Sequence, residues 1–116
     1  MAVILKTRKP ELFISDIQIR IDKGLITDWI YDSDGDFTYK KEPWDLLAWF
    51  HPYKGEQDTL TFGIIGRNGY NITLEEYSKY HGLWTEVLIK NFAKDISDIE
   101  ITMPLVNIYD SLNIDL

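Results

Sequence analysis

The segment TLEEYSKYHGLWTEVLIKNFAKD, which begins at Thr73, constrains the fold more than any other part of the chain. At about 100° per residue, Leu74, Tyr77, Tyr80, His81, Trp84, Val87, Leu88 and Phe92 fall in one arc. Glu75, Glu76, Lys79, Glu86, Lys90 and Lys94 fall in the complementary arc. Thr73, followed three residues later by Glu76, has the capping-box spacing, in which each side chain satisfies a backbone donor at the helix start. The pattern predicts one long helix over about 73–94. Gly82 lowers helicity without breaking the apolar phase, while Leu83 and Ile89 sit outside the stripe, free to meet another element or a partner.

Most of the remaining chain reads as strands. In ISDIQIRI, Ile17, Ile19 and Ile21 alternate with Asp16, Gln18 and Arg20, the period of a half-buried strand. LITDWIY and FTYK flank Asp34-Gly35, a strong signal for a two-residue hairpin turn. Pairing about that turn sets Tyr31 opposite Thr38 and Asp32 opposite Phe37, with Trp29 and Tyr31 on one face and Ile30 and Tyr39 on the other. In EPWDLLAWFHP, Pro43 suits a first helical turn and Pro52 a stop, which predicts a short helix with Trp44, Leu47 and Ala48 on one side. TLTFGII predicts a strand with Leu60, Phe62 and Ile64 alternating with Thr59, Thr61 and Gly63. Asn68-Gly69 is a second hairpin signal, leading into a short strand at YNI. IEITM reads as a terminal strand, with Ile99, Ile101 and Met103 on one side, and LVNIYDSL carries Leu105, Ile108, Tyr109 and Leu112 at helical spacing.

These elements add up to an α+β fold: one domain over residues 1–116, an antiparallel sheet of four to six strands, one long helix, and one or two short helices packed on it. Tight hairpins favour antiparallel pairing, because parallel neighbours need long crossovers. A chain of 116 residues with 14% aromatics can bury one core, and pieces of it would be too small to do so. There are no cysteines, which excludes disulfides, thiolate metal sites and a cysteine nucleophile. MAVILKTRKP lacks the charge-first order of a secretory signal, and no apolar run approaches a membrane span. The expectation is a cytoplasmic protein that does not engage the membrane.

The net charge of −7 is unevenly spread. Residues 1–27 hold five Lys/Arg against three Asp/Glu, whereas residues 28–58 hold three bases against eight acids. An acidic surface repels phosphate backbones, so direct nucleic-acid binding is not expected and a basic protein is the natural complement. The plainer alternative is that the acids only keep the domain soluble.

DSDGD, residues 32–36, has the letters of a calcium loop but not its spacing. An EF-hand loop needs glycine sixth and a bidentate glutamate twelfth; counted from Asp32, Gly35 is fourth and Glu42 eleventh. In a hairpin, alternate carboxylates should diverge, so an exposed turn is expected and no metal or other cofactor. FGIIGRNGY carries Gly63, Gly66 and Gly69 but neither GxGxxG spacing nor a P-loop lysine. His81 lies in the apolar arc, where a satisfied core histidine is the default. His51, at the end of the expected short helix, would meet its dipole favourably. A small hydrolase or ligand-binding domain built on His81 and His51 with nearby acids is one alternative reading. A structural or oligomeric scaffold is another.

The aromatic–acidic stretch DSDGDFTYKKEPWDLLAWF carries a resemblance. Together with the size, the absence of Cys and the acidic surface, it resembles the small acidic immunity proteins that bacteria make beside secreted toxins. That resemblance implies a cytosolic, non-catalytic inhibitor that binds a basic toxin domain, often a nuclease, and blocks its active site. On this reading Asp32, Asp34, Asp36, Glu42 and Asp45 steer and pair with Lys/Arg of the partner, while Trp44, Trp49 and Tyr53 anchor it.

Overall fold

The apolar arc of the long helix lands on a sheet. A computed structural model describes residues 2–102 and 113–115. In chain order the elements are β1 (Ala2–Lys6), α1 (Pro10–Asp22), β2 (Trp29–Tyr31), β3 (Phe37–Tyr39), β4 (Ala48–Lys54), β5 (Thr59–Gly66), β6 (Asn71–Thr73), α2 (Leu74–Phe92), β7 (Asp98–Ile101) and β8 (Asn113–Asp115). Six strands form one antiparallel sheet in the order β2-β3-β4-β5-β1-β7, and β6 and β8 form a separate parallel pair. The expected α+β architecture is present, with both helices on one face of the sheet.

α2 begins as its capping box requires. The Glu76 N–H donates to Thr73 Oγ1 at 3.1 Å, and the Thr73 N–H donates to Glu76 Oε1 at 2.9 Å. Its stripe of Tyr77, Tyr80, His81, Trp84, Leu88 and Phe92 is buried. Trp84 is the hub: its ring stacks on Phe50 of β4 at 5.5 Å and meets Phe62 of β5 and Trp29 of β2 at 5.2 and 4.6 Å. Burying aromatics of this size dominates the stability of a domain this small.

The Phe50–Trp84 contact identifies the helix-covered face, and the strand register extends it. Phe50 pairs with Ile64 and Val3 with Phe62, so these side chains share that face with Leu5 and Leu60. Trp49, His51 and Tyr53, which alternate with Phe50, point to the other face with Thr61, Gly63 and Ile65.

Four expectations are corrected. ISDIQIRI is not a strand but the body of α1. Pro10 stands at its first turn, and Phe13, Ile14, Ile17 and Ile21 form a helical stripe that packs on the core. Phe13 meets Phe92 of α2 at 4.8 Å, while Ile19, part of the apparent alternation, is 45% exposed. WDLLAWFHP is not a helix. Leu46 takes φ 54°, which a right-handed helix cannot contain, and Ala48–Lys54 is a strand paired along its length with β5. Pro52 is tolerated because β3 pairs with β4 only at Phe37–Phe50, which leaves the outer side of β4 without a neighbour beyond that point.

The hairpin register also differs. Tyr31 pairs with Phe37, Ile30 with Thr38 and Trp29 with Tyr39, so residues 32–36 make a five-residue connection and Tyr39 shares the face of Trp29. Finally, Asn68-Gly69 does turn the chain, with Gly69 at φ 75° and the Tyr70 N–H bonded to the Arg67 carbonyl. The strand after it leaves the sheet, however, and pairs with β8 rather than returning along β5. The terminal strand falls at β7, beside β1. The helix expected over 105–112 and the place of Met103 lie outside the described residues.

Candidate functional site

The 32–36 loop is organised by one carboxylate. Asp32 Oδ1 accepts from the backbone N–H of Asp34 and of Asp36, both at 3.0 Å, wrapping the chain around its own side chain. The Asp32 N–H donates to the Asp36 carbonyl and the Gly35 N–H to the Asp32 carbonyl, and Gly35 supplies the left-handed φ of 80°. This wrap overturns the expectation that the three carboxylates diverge: ligand oxygens of Asp32, Asp34 and Asp36 lie within 4.8 Å of one another.

Asp32 and Asp34 are exposed, but Asp36 is 9% exposed. Its Oδ1 meets Nδ1 of His51 on β4. A carboxylate only accepts, so Nδ1 carries the proton and Nε2 is left as the second functional atom of the ring. The His51 side chain is 35% exposed, and its ring stands edge-on to Tyr53 at 4.7 Å. Trp49 precedes His51 by two residues on the same face and is also half-buried. Asp32, Asp34, Asp36, Trp49, His51 and Tyr53 therefore form one contiguous patch, acidic at the loop and aromatic along the strand.

The other proposed partner residues lie elsewhere. Trp44 and Asp45 are half-buried in the β3–β4 connection, and Trp44 packs on the core. Lys79 of α2 stands 5.7 Å from the Trp44 ring, and the Trp44 carbonyl accepts from the Tyr80 hydroxyl at 2.6 Å. Glu42 is exposed in the same connection. Trp44 is thus drawn toward α2, whereas Trp49 points to the face away from the helices. The two tryptophans are separated by a strand boundary, Trp44 in the connection and Trp49 within β4.

The two histidines are also apart. His81 is buried on the helix side, its ring edge-on to Phe50 at 5.1 Å, and its Nδ1–H donates to the Tyr77 carbonyl at 2.7 Å. His51 projects from the opposite face of the strand that carries Phe50 and ends no helix. Gly63 and Gly66 belong to β5, so FGIIGRNGY is a strand and a turn.

Sequence reasoning missed the pairing of Asp36 with His51. The period-two row Trp49, His51, Tyr53 was its signal, hidden while Pro43 and Pro52 suggested a helix. Among the described residues, no helix is long and apolar enough to cross a membrane. No protein-family model, curated protein or solved structure matches the chain.

Proposed function

We propose that this chain is a non-catalytic, protein-binding inhibitor of the immunity type, neutralising a basic, nuclease-like toxin domain in the bacterial cytoplasm. The observation that carries the reading is the continuity of the aspartate loop with the aromatic row of β4. Three carboxylates held within 4.8 Å concentrate negative charge where Trp49, His51 and Tyr53 offer half-buried rings. Such a patch supplies both parts of a tight interface: aromatic anchors that exclude water and charge that steers a cationic partner. A nuclease active site is shaped to hold phosphates, so clustered carboxylates have the charge to occupy it. Trp44 supports the patch from behind by fixing the β3–β4 connection against α2.

The test is co-purification with the product of the adjacent reading frame, followed by binding kinetics across a salt series. The wild-type chain is expected to associate fast at low salt. Asp32→Lys with Asp34→Lys should slow association roughly tenfold or more and flatten the salt dependence. Equal kinetics for the wild type and the double variant would remove the acidic loop from the interface.

A second reading has one specific observation in its favour. Asp36 orients His51 as a carboxylate orients a catalytic imidazole, leaving Nε2 at a half-exposed position for acid–base work. Hydrolysis of a simple ester or phosphodiester that disappears in His51→Gln would select this reading.

A further inference from the structure

At the edge of the sheet remote from the aspartate loop, the β1–α1 turn and the α2–β7 connection flank a half-open cavity of about 420 Å³. That volume lies within the range of small-molecule sites, about 300–1,000 Å³. Leu12, Phe13 and Ile96 form its apolar part. Arg8, Lys9 and Lys94 bring three cations to it against the carboxylates of Asp16 and Asp95. In a chain of net charge −7, this is a local reversal of sign.

Two further features point to an anion. The first is the start of α1, a helix of 13 residues whose N-cap, Lys9, makes no side-chain cap bond. Pro10 has no N–H, and the carboxylate of Glu11 contacts its own backbone N–H and Lys54. The Leu12 N–H is left at the positive end of the helix without a backbone partner. The second is Thr7. It continues the alternation of Val3 and Leu5 onto the helix face, is 5% exposed, and lines the cavity. Its N–H donates to the Asp58 carbonyl, but among the described residues its hydroxyl has no hydrogen-bond partner. A hydroxyl on the pocket lining with no protein partner is free to donate to an oxygen of a bound ligand.

We propose that this cavity binds the phosphoryl or carboxylate head of a small organic anion with an apolar body. Arg8 and Lys94 neutralise the head, the Thr7 hydroxyl and the Leu12 N–H donate to it, and Leu12, Phe13 and Ile96 receive the body. The acids Asp16 and Asp95 hold the net charge of the lining to +1, which suits a single anionic head and disfavours a polyanion. None of these residues belongs to the aspartate loop or the aromatic row of β4, so the proposal stands or falls independently of partner binding.

The experiment is an NMR and calorimetric titration of the full chain at constant ionic strength with phenyl phosphate, benzoate and phenol, each to about 10 mM. Phenyl phosphate is expected to shift the Thr7 and Leu12 amides and to bind with a measurable Kd. An equal response to benzoate assigns the site to carboxylates as well as phosphoryl groups, and a response to phenyl phosphate alone restricts it to phosphoryl groups. Arg8→Gln with Lys94→Gln should weaken binding roughly tenfold or more, and Thr7→Val several-fold. The proposal is overturned by silence toward both anions, by an equal response to phenol, or by unchanged affinity in the Arg8/Lys94 double variant. Arg8 and Lys94 are exposed, so their double substitution leaves the core intact and its result would not be confused with misfolding.

Discussion

Asp36, the last residue of the β2–β3 loop, and His51, in the middle of β4, are hydrogen-bonded side chain to side chain across 15 positions of sequence. The pair fastens the acidic loop to the sheet. It turns one of three clustered carboxylates inward while Asp32 and Asp34 stay exposed. Asp36→Ala should cost about 1–2 kcal/mol, less than a fully buried charged bond because the imidazole is partly in water. His51→Ala should cost a similar amount. A double-mutant cycle by urea unfolding checks the relationship: a coupling near 1 kcal/mol is expected, and a coupling of zero would make the contact incidental.

The convergence of Asp32, Asp34 and Asp36 brings three carboxylates together, and the bonding within the loop limits what they offer an ion. The Asp34 and Asp36 N–H groups already occupy Asp32 Oδ1, and Asp36 Oδ1 is engaged by His51. Calcium takes about six to eight oxygen ligands, of which three carboxylates supply only a part, and the one from Asp36 is shared with His51. Millimolar calcium or magnesium is therefore expected to leave the melting temperature and the tryptophan fluorescence unchanged. A rise in melting temperature that saturates with calcium and is lost in Asp34→Asn would show that the loop reorganises around the ion.

The start of α2 makes a prediction with a pH signature. Burial, the largest single influence on Glu76, pushes its carboxyl upward, but bonds from the Thr73 N–H, the Tyr70 hydroxyl and the Thr73 side chain together hold it below the usual range. A carboxyl lowered by folding contributes stability that is present above its unfolded pKa and lost as the pH falls through the folded one. Thr73→Ala should cost about 1 kcal/mol near neutral pH. Glu76→Gln should flatten the acid side of the stability profile, measured by urea unfolding from pH 7 down to about 3. An acid limb as steep as in the wild type would mean that other carboxylates set it.

Local features were legible in sequence, and features decided by pairing were not. Thr73 and Glu76 lie within one helical turn, so their spacing alone specifies the cap, and the stripe from Tyr77 to Phe92 needs only the helical period. Leu60, Phe62 and Ile64 likewise declare β5 by alternation. Ile17, Ile19 and Ile21 alternate as well, yet the burial of Phe13 against Phe92 selects the helical phase of the same stretch. The sheet decides for β4 too, because seven residue pairs with β5 outweigh two prolines at helix-like positions. The candidate site inherits that difficulty. Its aspartates were visible as a cluster, but Asp36 finds His51 only after β3 and β4 are neighbours.

Tyr80 supplies the last prediction. Its hydroxyl donates to the Trp44 carbonyl at 2.6 Å and accepts from the Leu47 N–H at 3.0 Å, joining α2 to the connection that leads into β4. The side chain is fully buried, and burial raises its pKa above the ordinary value of 10.0, with the charge of Asp45 adding to the rise and hydrogen bonds from Leu47 and Ala48 opposing it. A group raised by folding contributes stability that is complete below its unfolded pKa and disappears as the pH climbs through the folded one. The chain should therefore lose stability above about pH 10. Tyr80→Phe should remove Tyr80's share of that loss. Near neutral pH the variant should be less stable by about 1–3 kcal/mol, because it leaves the buried Leu47 N–H unpaired. It should also loosen the β3–β4 connection, read as faster amide exchange at Leu47. Urea unfolding at neutral and alkaline pH, with exchange measured on both chains, checks all three outcomes. A variant as stable as the wild type would mean that Trp44 and Leu47 are held by the sheet without Tyr80.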